Sequence, residues 1–224
     1  MTETRGITIV LSGGLDSTVL LAMAVEHGFR ARTLTFDYGQ HHAREIASAK
    51  RVAQYYDVVN DVVAVDLASL GMQSALLTKD VALPLDMASD DVRQRATIVP
   101  NRNLIMLSIA VAQASTYGHH FVWFGAHAGD RAVYPDCRPE FIEALNVTLR
   151  KAYGGQHPLV IAPFIDLSKG AIVRRGIELD APLQYTWTCY AGGDEPCKRC
   201  GSCVERAEAF SANNAIDPFR REWW

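Results

Sequence analysis

The stretch ITIVLSGGLDST, Ile7 to Thr18, sets a compact β-branched run directly before a glycine-rich turn and a helix start. Such a run reads as a strand buried on both faces of a parallel sheet. Ser12, Gly13 and Gly14 let backbone N–H groups approach an anion closely, and the positive end of the following helix adds to the attraction. Ser17 and Thr18 offer hydroxyl donors. Asp16 is out of place beside phosphates unless Mg²⁺ lies between them. The Gly-Lys-Ser/Thr ending of a Walker loop is missing, and so is G-x-G-x-x-G. The bland alternative is a glycine turn that merely joins strand to helix; the full heptapeptide in this position argues against it.

Outward from this stretch the chain keeps a rhythm. ARTLTF, VVNDVVAV, FVWFGA and LVIAPF read as four more strands. Helical stretches run from Ser17 to His27, Gln40 to Tyr56, Leu104 to Tyr117, Pro139 to Tyr153 and Ser168 to Leu179. Gly28 ends the first, Pro139 opens the fourth where its missing N–H matters least, and Ser168 caps the last. Strands alternating with helices predict an α/β, Rossmann-like fold with a parallel five-stranded sheet and helices on both faces. Ligands in such sheets bind beyond the carboxyl ends of the strands. The loops after strands one, two and four are therefore expected to carry function. Gly71 to Pro100 breaks the rhythm and predicts a long loop or partial lid.

Hydrophobic residues make up 49% of the 224, enough for a sizeable core. Lys and Arg total 22 against 25 Asp and Glu, a net charge of −3, which is not the balance of a protein that binds nucleic acid by bulk charge. No apolar run is long enough to span a bilayer, and ITIVL is too short for a signal core, so a cytoplasmic protein is expected.

Four of the five cysteines, Cys189, Cys197, Cys200 and Cys203, follow the spacing C-x7-C-x2-C-x2-C. That clustering fits a metal site in a reducing compartment better than a disulfide framework. The two x2 steps let backbone N–H groups bend toward the sulfurs, and four thiolates close a tetrahedral shell around Zn²⁺ with no open position. A structural zinc site is expected. A redox relay or sulfur carrier would use only two of the four. A nucleic-acid-binding knuckle would interleave aromatics with basic residues, where only Lys198, Arg199 and Arg206 stand.

SGGLDST resembles the phosphate loop of the PP-loop ATP pyrophosphatases, whose members attach AMP to a substrate oxygen and release pyrophosphate. With TFDYGQHHAREI, VPNRNLIMLSIA, YPDCRPEF and the cysteine run in the same order, the chain resembles the QueC family of that superfamily from end to end. The resemblance implies an adenine nucleotide α-hydrolase-like fold, with a catalytic domain over residues 1–180 and a zinc-binding region over 181–224. It implies that 7-carboxy-7-deazaguanine is adenylated by ATP with Mg²⁺, aminated by ammonia to an amide, adenylated again and converted to a nitrile. A homodimer is implied as well, and no nucleic-acid or membrane partner. Leu11, Ser12, Gly13, Gly14, Leu15, Asp16, Ser17, Thr18, Phe36, Tyr38 and Gln40 would hold the nucleotide. Asp16, Ser17, Lys169 and Arg102 would serve the chemistry. Arg102, Asn103, Asp130, Tyr134, Asp136 and Arg138 would hold the substrate.

The residues speak for themselves too. Arg102 and Asn103 open a helix on the ligand side. Lys169 lies in a first helical turn, unfavourable for its charge, and so calls for an anionic partner such as ATP phosphate. Asp130 and Asp136 suit a guanine-like edge, although Asp136 also suits a helix cap. Tyr134 could stack on a base or pack in the core. Cys137 reads as a small buried hydrophobe or pocket wall. Tyr38, Gln40, His42 and Glu45 follow strand two. His27, His119, His120 and His157 read as surface or helix-end residues. Asn101, Ala132 and Val133 depart from the family pattern. Asn101 can still turn left-handed, whereas Val133 cannot readily, so an enzyme that stops at the amide stays open. So do a tRNA thiolase and a zinc knuckle on an inactive fold. Trp223 and Trp224 would cover the protein's own surface or a second subunit.

Overall fold

A computed structural model describes residues 5–40, 43–86, 88 and 92–219. Its elements are β1 (Gly6–Val10), α1 (Leu15–Glu26), β2 (Arg30–Asp37), α2 (Ala43–Tyr55), β3 (Asn60–Ala64), α3 (Arg102–Thr116), β4 (Phe121–Trp123), α4 (Pro139–Tyr153), β5 (Leu159–Ile161), α5 (Lys169–Glu178) and α6 (Gly201–Ser211). The strands form one parallel sheet in the order β3-β2-β1-β4-β5. Strand order reverses beside β1, so the carboxyl ends of β1 and β4 flank the switch point where ligands enter open α/β sheets.

Period-two alternation builds two cores. Ile7, Ile9 and Trp123 face one side and pack with α1, α2, α5 and α6. Leu34, Phe36, Val122 and Val160 face the other and pack with α3 and α4. Ala181, Leu183, Ala209 and Phe210 belong to the first core, so the C-terminal region is built into the sheet's own packing.

Two expectations are narrowed by the fold. The segment 71–100 is not a bare loop: Val92–Thr97 forms a 3₁₀ turn, and Ala75, Leu76, Leu77 and Val99 are buried. A bridge from Leu85 to Cys200 ties it to the cysteine run. His119 follows the end of α3, as expected of a helix-end residue, but is buried, its Nδ1 2.9 Å from Thr8 Oγ1. Burial, with Arg30 and Arg32 nearby, pulls it down to about 4. His42, Trp223 and Trp224 lie outside the described residues.

Candidate active site and cysteine centre

The glycine turn works as a hinge between β1 and α1. Gly13 has φ +85°, and a Cβ there would stand 2.1 Å from the Glu45 carbonyl oxygen, so only glycine fits. Its carbonyl accepts from Ser48 Oγ at 2.6 Å and from the Trp187 N–H at 3.0 Å. Gly14 is the N-cap of α1, and no side chain caps that end. The first-turn N–H groups of α1, which no helix can satisfy internally, are thus set for an outside acceptor.

Two adjoining cavities open at the carboxyl ends of the strands. The larger, about 210 Å³, brings together Leu11, Ser12, Asp16 and Ser17 after β1 and Phe36, Tyr38 and Gln40 at the end of β2. Arg102 and Asn103 of α3, with Asp130 and Tyr134 after β4, close it. The smaller, about 130 Å³, adds Gly14, His127, Lys169 and Glu205. Ser12, Asp16, Glu45, Asp130, Tyr134 and Tyr190 line both. A hollow of about 780 Å³ behind the cysteines, between Arg206, Phe210 and Phe219, includes no residue of the glycine turn.

Charge is concentrated at the junction. Lys169 is 8% exposed, and its Nζ lies 2.5 Å from Asp16 Oδ2 and 3.6 Å from Glu205 Oε2. Burial alone would pull Lys169 down, but Asp16 and Glu205 outweigh it and hold the amine above its ordinary range. Asp16 Oδ1 is buried with no hydrogen-bond partner. Arg102 meets the Tyr38 hydroxyl at 3.3 Å, its guanidinium carbon 5.6 Å from the ring centre. Burial pushes Tyr38 up to about 12 and Glu45 up to about 7. Burial also raises Asp130, against the pull of His127 and Lys169.

Some expected residues serve differently. Lys169 finds its anionic partner in the protein's own Asp16. Leu15 faces the first core, and Thr18 is fully buried with its hydroxyl donating to the Gly14 carbonyl at 2.9 Å, so neither side chain reaches the cavities. Gln40 braces its own loop, donating to the Phe36 carbonyl and accepting from the Tyr38 N–H. Asp136 accepts from the Asn103 N–H at 3.3 Å and so steadies the first turn of α3. Arg138 is exposed and donates to the Arg131 carbonyl, away from both cavities. Asn101 is left-handed at φ +57°, and Val133 keeps an ordinary right-handed backbone. Tyr134 meets Thr97 Oγ1 at 2.6 Å, and Cys137, buried in the wall, accepts from Asn103 Nδ2. Sequence reasoning missed His127, Tyr190 and Glu205, which no motif singles out.

The four cysteines converge. Their sulfurs all lie within 4.8 Å of one another, close to the roughly 3.8 Å edge of a tetrahedron with about 2.3 Å Zn–S bonds. The N–H groups of Ala191 and Cys197 point to Cys189 Sγ, and those of Arg199 and Cys200 to Cys197 Sγ. Cys189 and Cys200 are fully buried. The donor set is thus compatible with zinc and leaves no coordination position for a substrate. Arg206 of α6 holds Asp217, Thr186 and Thr188 around it.

Comparison with known proteins identifies the family. Residues 6–214 match the family model described as queuosine biosynthesis protein QueC. The 7-cyano-7-deazaguanine synthase of Marinobacter nauticus is 43% identical over 220 residues, covering 98% of each chain. That of Archaeoglobus fulgidus is 44% identical over 221 residues, covering 96% of this chain and 90% of the other. Among solved structures, an NH3-dependent NAD synthetase from Campylobacter jejuni superposes with a TM-score of 0.50 at 13% identity, over 82% of this chain and 68% of the other. That likeness is one of fold. Among the described residues no helix is long and apolar enough to cross a membrane.

Proposed function

The chain belongs to the QueC family, and from that premise we propose that it converts 7-carboxy-7-deazaguanine and ammonia to 7-cyano-7-deazaguanine with ATP. Residues 1–180 supply the nucleotide and deazaguanine contacts, and 181–224 hold the zinc and add Tyr190 and Glu205 to the cavity walls. One observation carries the assignment of the larger cavity. Arg102 has no carboxylate partner among the described residues, and it shares that cavity with the uncapped first turn of α1. A half-buried cation with no carboxylate at salt-bridge distance, and with Asp136 acting only from longer range, favours an anionic guest.

In this reading the phosphates of ATP rest on the N–H groups of Ser12 to Ser17, and Phe36 and Tyr38 border the adenine. Arg102 and Asn103 hold the acid's carboxylate where its oxygen can attack the α-phosphorus. Asp16 Oδ1, lacking a partner, would hold Mg²⁺, which neutralises phosphate charge when bound. Lys169 keeps Asp16 in place. Loss of pyrophosphate yields an acyl adenylate; ammonia displaces AMP to give the amide. The amide oxygen is then adenylated, and elimination of AMP leaves the nitrile. Asp130 and Tyr134 border the heterocycle.

Incubation with 7-carboxy-7-deazaguanine, ATP and ammonium should give AMP, pyrophosphate and the nitrile by mass spectrometry. Amide as the sole end product would refute nitrile formation, and acid-independent ATP turnover would refute the reading altogether. The same reading extends to a cytoplasmic homodimer, whose assembly light scattering in solution checks.

A further inference from the structure

The smaller cavity has more carboxylate than the nucleotide can use. Lys169 and Asp16, 2.5 Å apart, answer each other's charge. Glu205 remains, and so does Asp130, which lines both cavities and borders the heterocycle as well. Among the described residues the only lysine or arginine within 4.0 Å of either is Lys169, 3.6 Å from Glu205 and already bonded to Asp16. His127 stands between the two. It is 2% exposed, and its Nδ1 accepts the Gly129 N–H at 3.1 Å, so the proton of the neutral ring sits on Nε2. Nε2 lies 3.6 Å from Asp130 and 3.7 Å from Glu205, too far to hydrogen-bond either. Asp130 Oδ2 accepts the His127 backbone N–H at 3.0 Å, and neither Asp130 Oδ1 nor Glu205 hydrogen-bonds the ring, so the Nε2–H and carboxylate oxygens of both residues face the same space of about 130 Å³.

We infer that this cavity is the ammonium site, with Asp130 and Glu205 receiving the N–H groups of the nitrogen substrate. The inference rests on the ATP-dependent amidation proposed above. The excess negative charge repels an anion such as pyrophosphate. Bare Mg²⁺ needs oxygens at about 2.0–2.1 Å on a tight octahedron. Among the described residues only the four cysteines bring three or more possible ligand atoms within 4.8 Å of one another. Ammonium makes N–H···O contacts of about 2.7–3.2 Å and tolerates the wider spacing. The cavity shares Ser12, Asp16 and Tyr134 with the larger one, so nitrogen held there stands beside the cavity proposed for the acyl adenylate. Ammonium passes one proton to the Asp130 carboxylate, which burial disposes to accept it. The freed lone pair forms the C–N bond, the C–O bond to AMP breaks with its pair on AMP, and the surplus nitrogen proton leaves to water.

Acid-dependent exchange of labelled pyrophosphate into ATP needs no ammonia, so it separates the two sites. In Glu205→Gln the apparent KM for ammonium should rise at least tenfold. The KM for ATP in exchange should move less than threefold, with metal content and melting temperature as in the unsubstituted protein. Glu205→Asp, which keeps the charge, should recover part of the loss. An unchanged ammonium KM would overturn the inference. So would an exchange rate that falls in step with amidation, or a raised Mg²⁺ requirement in place of the ammonium effect. Absence of acid-dependent exchange in the unsubstituted protein would instead sink the amidation reading on which the site depends.

Discussion

Glu45 is a carboxyl group that the fold prefers to keep neutral. Burial raises it from 4.5 to about 7, the opposing pull of Arg102 notwithstanding. The folded chain then holds this proton more tightly than the unfolded chain does. The resulting stability is complete below about pH 4.5 and is lost as pH rises through about 7. Glu45→Gln, which never ionises, should therefore melt increasingly above the unsubstituted protein between about pH 5 and about pH 8. Thermal denaturation at those two values checks the sign, and a gap that narrows with rising pH would contradict it. At this scale the sequence was legible where a motif named the residue and silent where the fold did. Asp16 and Arg102 stand out in SGGLDST and VPNRN. His127 and Glu205 matter because the loop after β4 and helix α6 meet over Lys169, a proximity that no spacing along the chain encodes.

The turn between β1 and α1 is the element with least tolerance. Gly28 closes α1 at φ +70° with open space for 4 Å around the point where a methyl would stand, whereas Gly13 combines φ +85° with a backbone oxygen at 2.1 Å from that point. Gly28→Ala should therefore lose about 1 kcal/mol from the backbone preference alone. Gly13→Ala should lose about 3 kcal/mol or more, because the methyl also displaces α2. Urea denaturation of the two variants gives the difference; equal losses would mean that the turn yields freely. The regular elements were readable because period-two runs and caps are local signals. Pro139–Tyr153 begins and ends where Pro and Gly154 place it. α6 was not readable, since its first residues are glycine, serine and cysteine, and packing on α5 rather than propensity makes it a helix. The segment 71–100 was opaque for a related reason: its buried apolar residues pack into the core beside α3 and near the cysteines, partners far away in sequence.

At the scale of the molecule the cysteine centre joins parts that are far apart in sequence. Cys200 bridges to Leu85, Trp187 packs among the cysteines, and α6 enters the first core beside Leu183. Cys200→Ser should abolish stoichiometric metal and lower the melting temperature of the whole chain in a single transition, because α6 shares the core of the sheet and cannot melt apart from it. Metal analysis with calorimetry tests this; two resolved transitions would show that the region stands apart. The Trp187 N–H that holds the Gly13 carbonyl has a further consequence, in time. Ribosomes build chains from the amino end and domains fold as they emerge. The phosphate turn leaves among the first residues, yet its last hydrogen bond waits for residue 187, and Glu205 follows later still. An unfinished chain thus carries the glycine turn without the residues that brace it and complete the cavity beside it.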